Sequence, residues 1–172
     1  DELAQPSGSI GHFRYPDEWL DSLDIDLILA FFGYSESFDG PEGLDNFKAE
    51  LTAFVEHTLA QAYNEQHPPT LALVSPIAFE DLSEQFDLPD GNTENQHLAL
   101  YTAAIQEVAQ SYELPFVDVF HPSQKWYRQN AEPLTIDGFQ LNEQGNAILA
   151  RYLSQRLSAK NLLPGLTRNR FG

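Results

Sequence analysis

Gly33-Tyr34-Ser35-Glu36-Ser37 follows directly on an apolar run, and its opening spells most of the G-x-S-x-G turn that presents a nucleophilic serine. Ser37 stands where the second glycine is needed, and a side chain there narrows the backbone freedom such a strained turn requires. The next helical pattern begins about ten residues after Gly33, so the sharp strand-to-helix turn is missing. The segment therefore reads as a polar loop leaving a buried strand, or as a loop supplying hydrogen-bond donors to an anionic centre.

Asp137-Gly138-Phe139-Gln140 stands just before Leu141-Asn142 and a helical pattern. An Asp-x-x-His so placed can supply the acid and base of a catalytic triad, because imidazole exchanges a proton near neutral pH. Gln140 cannot do this, since an amide is neither a useful acid nor a useful base; Asp137 alone also fits an Asx turn. The histidines are His12, His57, His67, His97 and His121, and none is paired at metal-ligand spacing. His57 and His97 fall on helical patterns and read as surface or satisfied groups, and His67 lies in a turn before two prolines. His121 ends a strand at its carboxyl edge, the one histidine placed to face a site, although a plain loop histidine reads the same way. Glu36, Asp39 and Asp118 are further carboxylates near the same edge. With 26 acidic residues, a pair at glycosidase separation arises by chance. Neither G-x-G-x-x-G nor a Walker motif occurs, so no cofactor is expected.

The 172 residues suit one domain with a real core. The net charge is −17, from nine Lys and Arg against 26 Asp and Glu. Phosphate backbones are bound by clustered Lys and Arg. Several of these residues (Arg151, Arg156, Lys160, Arg168, Arg170) collect near the C-terminus, and nucleic acid and anionic lipid are poor candidate partners. No apolar run approaches the roughly 20 residues that span a bilayer, so membrane insertion is not expected. The absence of cysteine removes disulfides, thiolate catalysis and cysteine-ligated metals, and leaves the compartment open. The opening DELAQPSGSIG has no basic or apolar stretch of a signal peptide and does not begin with Met, which fits the interior of a longer product.

Strand and helix patterns alternate along the chain. A short helix is expected over 16–23, with Pro16 in its first turn. DLILAFF, 26–32, reads as a central strand buried on both faces, followed by a loop over 33–43. An amphipathic helix over about 44–64 carries Leu44, Phe47, Leu51, Phe54, Val55 and Leu59 on one stripe. TLALVSP, 70–76, reads as a second buried strand, and 78–95 as a long loop. A helix over about 94–112 precedes a third strand, 115–120, and a short helix over 122–130. A loop over 134–145 leads into a helix over about 143–157, with Asn142 as N-cap. The expected fold is a parallel sheet with helices on both faces, whose ligands bind outside the carboxyl ends of the strands. The loops that matter are then 33–43, 76–93 and 121–142.

In order and position, FFGYSESF, SPIAFEDL, LYTAAIQEVA, FVDVF and GFQLNEQGNAILA resemble an SGNH (GDSL-type) hydrolase over about residues 15–158. They are most similar to SGNH-like domains inside large bacterial multidomain proteins. The resemblance implies a three-layer α/β/α, flavodoxin-like fold and removal of acyl or acetyl groups from lipids, sugars or other esters. It implies that Gly33 and Ser35 stand at the oxyanion-hole block, with Ser35 replacing asparagine. It also implies that Asp137 is the triad acid and that Gln140 replaces the triad histidine, with Tyr34, Glu36 and His121 beside the site. The block carrying the nucleophilic serine has no counterpart before residue 15, and the second-block glycine has only Gly8 and Gly11 as candidates.

In this family the first strand lies within the sheet, so its loss would leave an unpaired edge. Residues 1–14 then read as the remnant of an upstream loop and 159–172 as a tail or linker. The functional expectation is a domain impaired in ester hydrolysis that binds an ester or carbohydrate ligand. The alternatives are an active esterase completed by an upstream segment, with His121 as base, and an interaction domain that contacts its neighbours in a longer polypeptide.

High salt screens acidic self-repulsion. The melting temperature should rise steadily across a sodium chloride series if the acidity is an adaptation to salty surroundings, and a flat response would contradict that reading.

Overall fold

The computed structural model describes residues 16–64 and 67–162. The expected upstream remnant with Gly8, Gly11 and His12, and the end of the expected tail, lie outside the described residues. The elements run α1 (Pro16–Ser22), β1 (Leu27–Phe31), a 3-10 segment (Glu36–Gly43), α2 (Leu44–Leu59), β2 (Thr70–Val74), α3 (Asn92–Ser111), β3 (Phe116–Val117), α4 (Phe120–Gln129) and α5 (Glu143–Ala159). The three strands form one parallel sheet in the order β1-β2-β3, with Leu27 opposite Thr70 and Leu73 opposite Phe116.

Strand alternation decides which layer each β2 residue meets. Leu71 and Leu73 pack with Phe47, Leu51, Tyr101 and Ile105 of α2 and α3. Val74 packs with Val117 and, through α5, with Leu149, Tyr152, Leu153 and Leu157. Helices therefore cover both faces of the sheet, as the alternating pattern implies. Each fully buried side chain of this size contributes about 1.5–3 kcal/mol.

β2 is the strand buried throughout, apart from Thr70 at its start. β1 departs from its expected central place: among the described residues it pairs with β2 alone and forms the sheet edge. Its residues are mostly half-buried, and Phe31 is 44% exposed. The apolar run of β1 covers both faces of the strand, but composition cannot say whether both sides of its hydrogen-bonding edge are filled.

β3 is shorter than expected because its backbone turns away early. Ser75 Oγ accepts the N–H groups of Val119 at 2.9 Å and Phe120 at 3.0 Å. Asp118 Oδ1 accepts that of His121 at 3.2 Å, and α4 begins at Phe120. α2 stops at Leu59, short of the expected 64. Tyr63 leaves the helical path to donate its hydroxyl to Asp17 Oδ1 at 2.7 Å, while His57 Nε2 meets Asp17 Oδ2 at 2.9 Å. Those two contacts pin α1 to the end of α2. The loop expected over 33–43 contains the 3-10 segment, broken at Gly40.

Leu73 is fully buried at the centre of the sheet. Leu73→Ala should lower unfolding free energy by about 2–5 kcal/mol in urea titrations; a loss under about 1 kcal/mol would contradict its central packing.

Candidate functional site

The carboxyl ends of the strands open onto a cleft of about 460 Å³ lined by Phe31, Tyr34, Ile77, Phe139, Gln140 and Leu149, among others. Most of these side chains are apolar. The loop after β1 supplies Tyr34, the loop after β2 supplies Ile77, and the segment before α5 supplies Phe139 and Gln140.

The loop carrying Asp137 and Gln140 is held by a carboxylate the sequence reading did not single out. Glu80 is 5% exposed. Its Oε2 accepts the backbone N–H of Leu134 at 3.0 Å, that of Thr135 at 2.7 Å and the Thr135 hydroxyl at 2.6 Å. Its own N–H donates to the Gly138 carbonyl at 2.7 Å. Thr135 and Leu141 form an antiparallel bridge, so 134–142 closes as a small hairpin with Ile136 N–H bonded to the Gln140 carbonyl. Gly138 sits at its tip with φ +89°, and a Cβ there would lie 2.4 Å from the Phe79 ring. Both the left-handed backbone and the close ring require glycine at that position.

Within the hairpin, Asp137 Oδ1 accepts the backbone N–H of Gln140 at 2.6 Å and of Phe139 at 3.0 Å. The Gln140 N–H first, then that of Phe139, hold the Asp137 carboxyl below the usual aspartate range. Asp137 is therefore an Asx-turn residue, and among the described residues no histidine hydrogen-bonds to it. Gln140 lines the cleft. Phe139 stacks on Tyr34 with ring centroids 3.4 Å apart and planes 12° apart. Burial, then the Asp137 and Glu94 carboxylates, push the Tyr34 phenol up to about 12, so it is a neutral hydrogen-bond donor at physiological pH.

In the first loop, Gly33 has φ +96°, and a Cβ there would come 3.0 Å from Ile105 Cδ1. Its N–H is taken up by Glu36 Oε2 at 3.0 Å. Glu36 Oε1 is buried without a hydrogen-bond partner among the described residues. Ser37 Oγ donates to the Tyr34 carbonyl at 2.6 Å. Ser35 is the N-cap residue just before the 3-10 segment, its carbonyl accepting from the Phe38 N–H at 3.3 Å. Among the described residues, the serine that lines the cleft is Ser75. Its hydroxyl donates to the Pro76 carbonyl at 3.1 Å, accepts two N–H groups and is fully buried, so it is a structural pin.

His121 pairs through Nδ1 with Asp118 Oδ2 at 2.8 Å on the solvent side of α4 and joins neither the cleft nor Asp137. Asp39 lies near the Tyr101 phenol and, with burial as the larger cause, raises its pKa. The structure thus brings Tyr34, Phe139 and Gln140 together and places Asp137 beside them. Gly33 and Glu36 support the first loop, and His121 stands apart. Ser75 and Glu80 were legible only as residues after an apolar strand, because their partners lie 44 to 55 positions away.

Glu80→Gln turns part of the acceptor toward N–H donors and should cost about 1.5–3 kcal/mol. Hydrogen exchange should quicken across 134–141, and unchanged protection there would contradict the role of Glu80. In a pH titration followed by NMR, the Gln140 amide should shift with a midpoint below the ordinary aspartate value. The folded pKa of Asp137 is depressed, so its hold on the turn is complete above the unfolded pKa and lost as pH falls through the folded one. A midpoint at or above the ordinary value would contradict the pairing.

No family model matches the sequence, and neither does any curated protein. Solved structures do match. A catalytic mutant of Axe2, an acetylxylan esterase from Geobacillus stearothermophilus, is 17% identical with a TM-score of 0.60, over 79% of this chain and 61% of that one. The lipase/acylhydrolase from Enterococcus faecalis is 17% identical with a TM-score of 0.57, over 78% and 62%. The native M. smegmatis aryl esterase is 16% identical with a TM-score of 0.60, over 83% and 65%. The match spans about three fifths of the length of these esterases. At these identities the likeness speaks to architecture, and it agrees with the parallel sheet, its flanking helices and the cleft at the strand ends: the chain has the fold of the SGNH hydrolases.

Proposed function

We propose that this chain is an esterase-type domain that binds an ester or acyl group in the cleft at the strand ends without hydrolysing it. The observation that carries this reading is the state of the groups that would have to react. Asp137 is bonded to backbone N–H groups, Gln140 stands three residues on with an amide in place of an imidazole, and Ser75 is buried with its hydroxyl engaged. Without a base the nucleophile is not activated and the leaving group is not protonated. Serine at position 35 in place of asparagine weakens the oxyanion hole further, where one lost donor typically costs about a hundred- to a thousand-fold in rate. What the cleft retains is an apolar lining and the neutral phenol of Tyr34, which suit an uncharged acyl or aryl ester.

The purified chain should hydrolyse p-nitrophenyl acetate no faster than a heat-killed control, and Gln140→His should not change this, because among the described residues the serine lining the cleft, Ser75, has its hydroxyl engaged. Turnover well above the control, or a serine labelled by a fluorophosphonate probe, would overturn the proposal. p-Nitrophenyl butyrate should still shift the NMR signals of Phe139 and Gln140, and Leu149→Arg should abolish those shifts. Absence of any shift in the parent chain would also overturn it.

A further inference from the structure

Tyr34 also lines a second cleft, of about 200 Å³, between the 3-10 segment and the start of α3. Tyr34 and Phe38 meet edge to face there, with centroids 5.3 Å apart and planes at 87°. Phe38 is 67% exposed, a large apolar ring left facing water. Across the cleft, Thr93, Glu94 and His97 project from α3, beside buried Leu98. Glu94 and His97 are three residues apart and so are neighbours on one helix face. Neither side chain hydrogen-bonds to another described residue, so an acceptor carboxylate and an imidazole stand beside an aromatic wall with their polar atoms available.

The charge pattern selects the ligand. Among the described residues, no Lys or Arg lines the cleft. Glu94 and Asp137 both act on the Tyr34 hydroxyl, so an anion is repelled. The positive end of the α3 helix dipole, beside Thr93 and Glu94, offsets part of that negative potential and so weakens the pull on a cation. The volume is below the roughly 300 Å³ at which pockets for drug-sized ligands begin, so it admits a single ring. We propose that this cleft binds one neutral pyranose ring, its C–H face laid on Phe38 and its hydroxyls bonded to Glu94, His97 and Thr93. The carboxylate accepts hydroxyl protons, and the imidazole can donate or accept through either nitrogen. This goes beyond the reading of the larger cleft and is independent of it, since the readout is sugar binding and neither hydrolysis nor acyl binding.

The test is saturation-transfer NMR on the full chain with methyl β-xylopyranoside and methyl β-glucopyranoside, with choline chloride and sodium acetate as comparisons. Saturation should pass to at least one sugar and to neither comparison compound. Phe38→Ala should weaken sugar binding about two- to tenfold, the worth of one aromatic contact, and Glu94→Gln should also weaken it. Phe38 is exposed, so the fold should survive, and a matching amide spectrum checks this. Stronger binding of choline or acetate, no sugar binding up to the solubility limit, or sugar binding indifferent to Phe38→Ala would each overturn the proposal.

Discussion

The Glu80 carboxylate is the interaction on which the candidate site rests. It is buried, and it replaces water with the N–H groups of Leu134 and Thr135 and the Thr135 hydroxyl. A buried charge without such partners would cost several kcal/mol, so carboxylate and hairpin must form together or not at all. Because the Gly138 carbonyl bonds back to the Glu80 N–H, the loops after β2 and before α5 become one rigid body. That body places Phe139 on Tyr34 and so gives the larger cleft its wall.

The polar groups around the cleft point inward on the protein itself. Gly33 gives its N–H to Glu36, Asp137 accepts from its own turn, and Ser75 closes the passage from β2 to α4. The first two engagements are local and the third is long-range, and together they commit the Gly33 N–H and the Ser75 hydroxyl to the protein's own framework. Here these groups serve as braces for the loops at the strand ends. The aromatic surfaces of Tyr34, Phe38 and Phe139 remain, and these favour binding by shape and apolar contact over chemistry.

Much of the architecture was legible in the sequence, because helical stripes such as Leu51, Val55 and Leu59 report burial directly, and Asn142 caps α5 as its side chain implies. The edge position of β1 was not legible in its own residues, since an apolar run records contact with the two faces and is silent about the hydrogen-bonding sides; an unpaired edge was expected from the family resemblance alone. The early end of β3 was hidden for a related reason. It is set by Ser75, more than forty positions upstream, and a lone serine after a strand carries no mark of its distant partners. The site was half legible: the segment Asp137–Gln140 stood out in the sequence and Gln140 lines the cleft, whereas Glu80 was one acid among 26.

The open side of β1 has a colloidal consequence. Among the described residues no strand pairs with its outer row of backbone groups, and such a row, with Phe31 beside it, is a template onto which another extended chain can add. What holds like copies apart is the net charge of −17, acting through solvent over about a Debye length. Ions that shorten this length relax repulsion within one molecule and between molecules alike, so the conditions most favourable to the folded monomer are also those in which its sheet edge is least guarded against other copies.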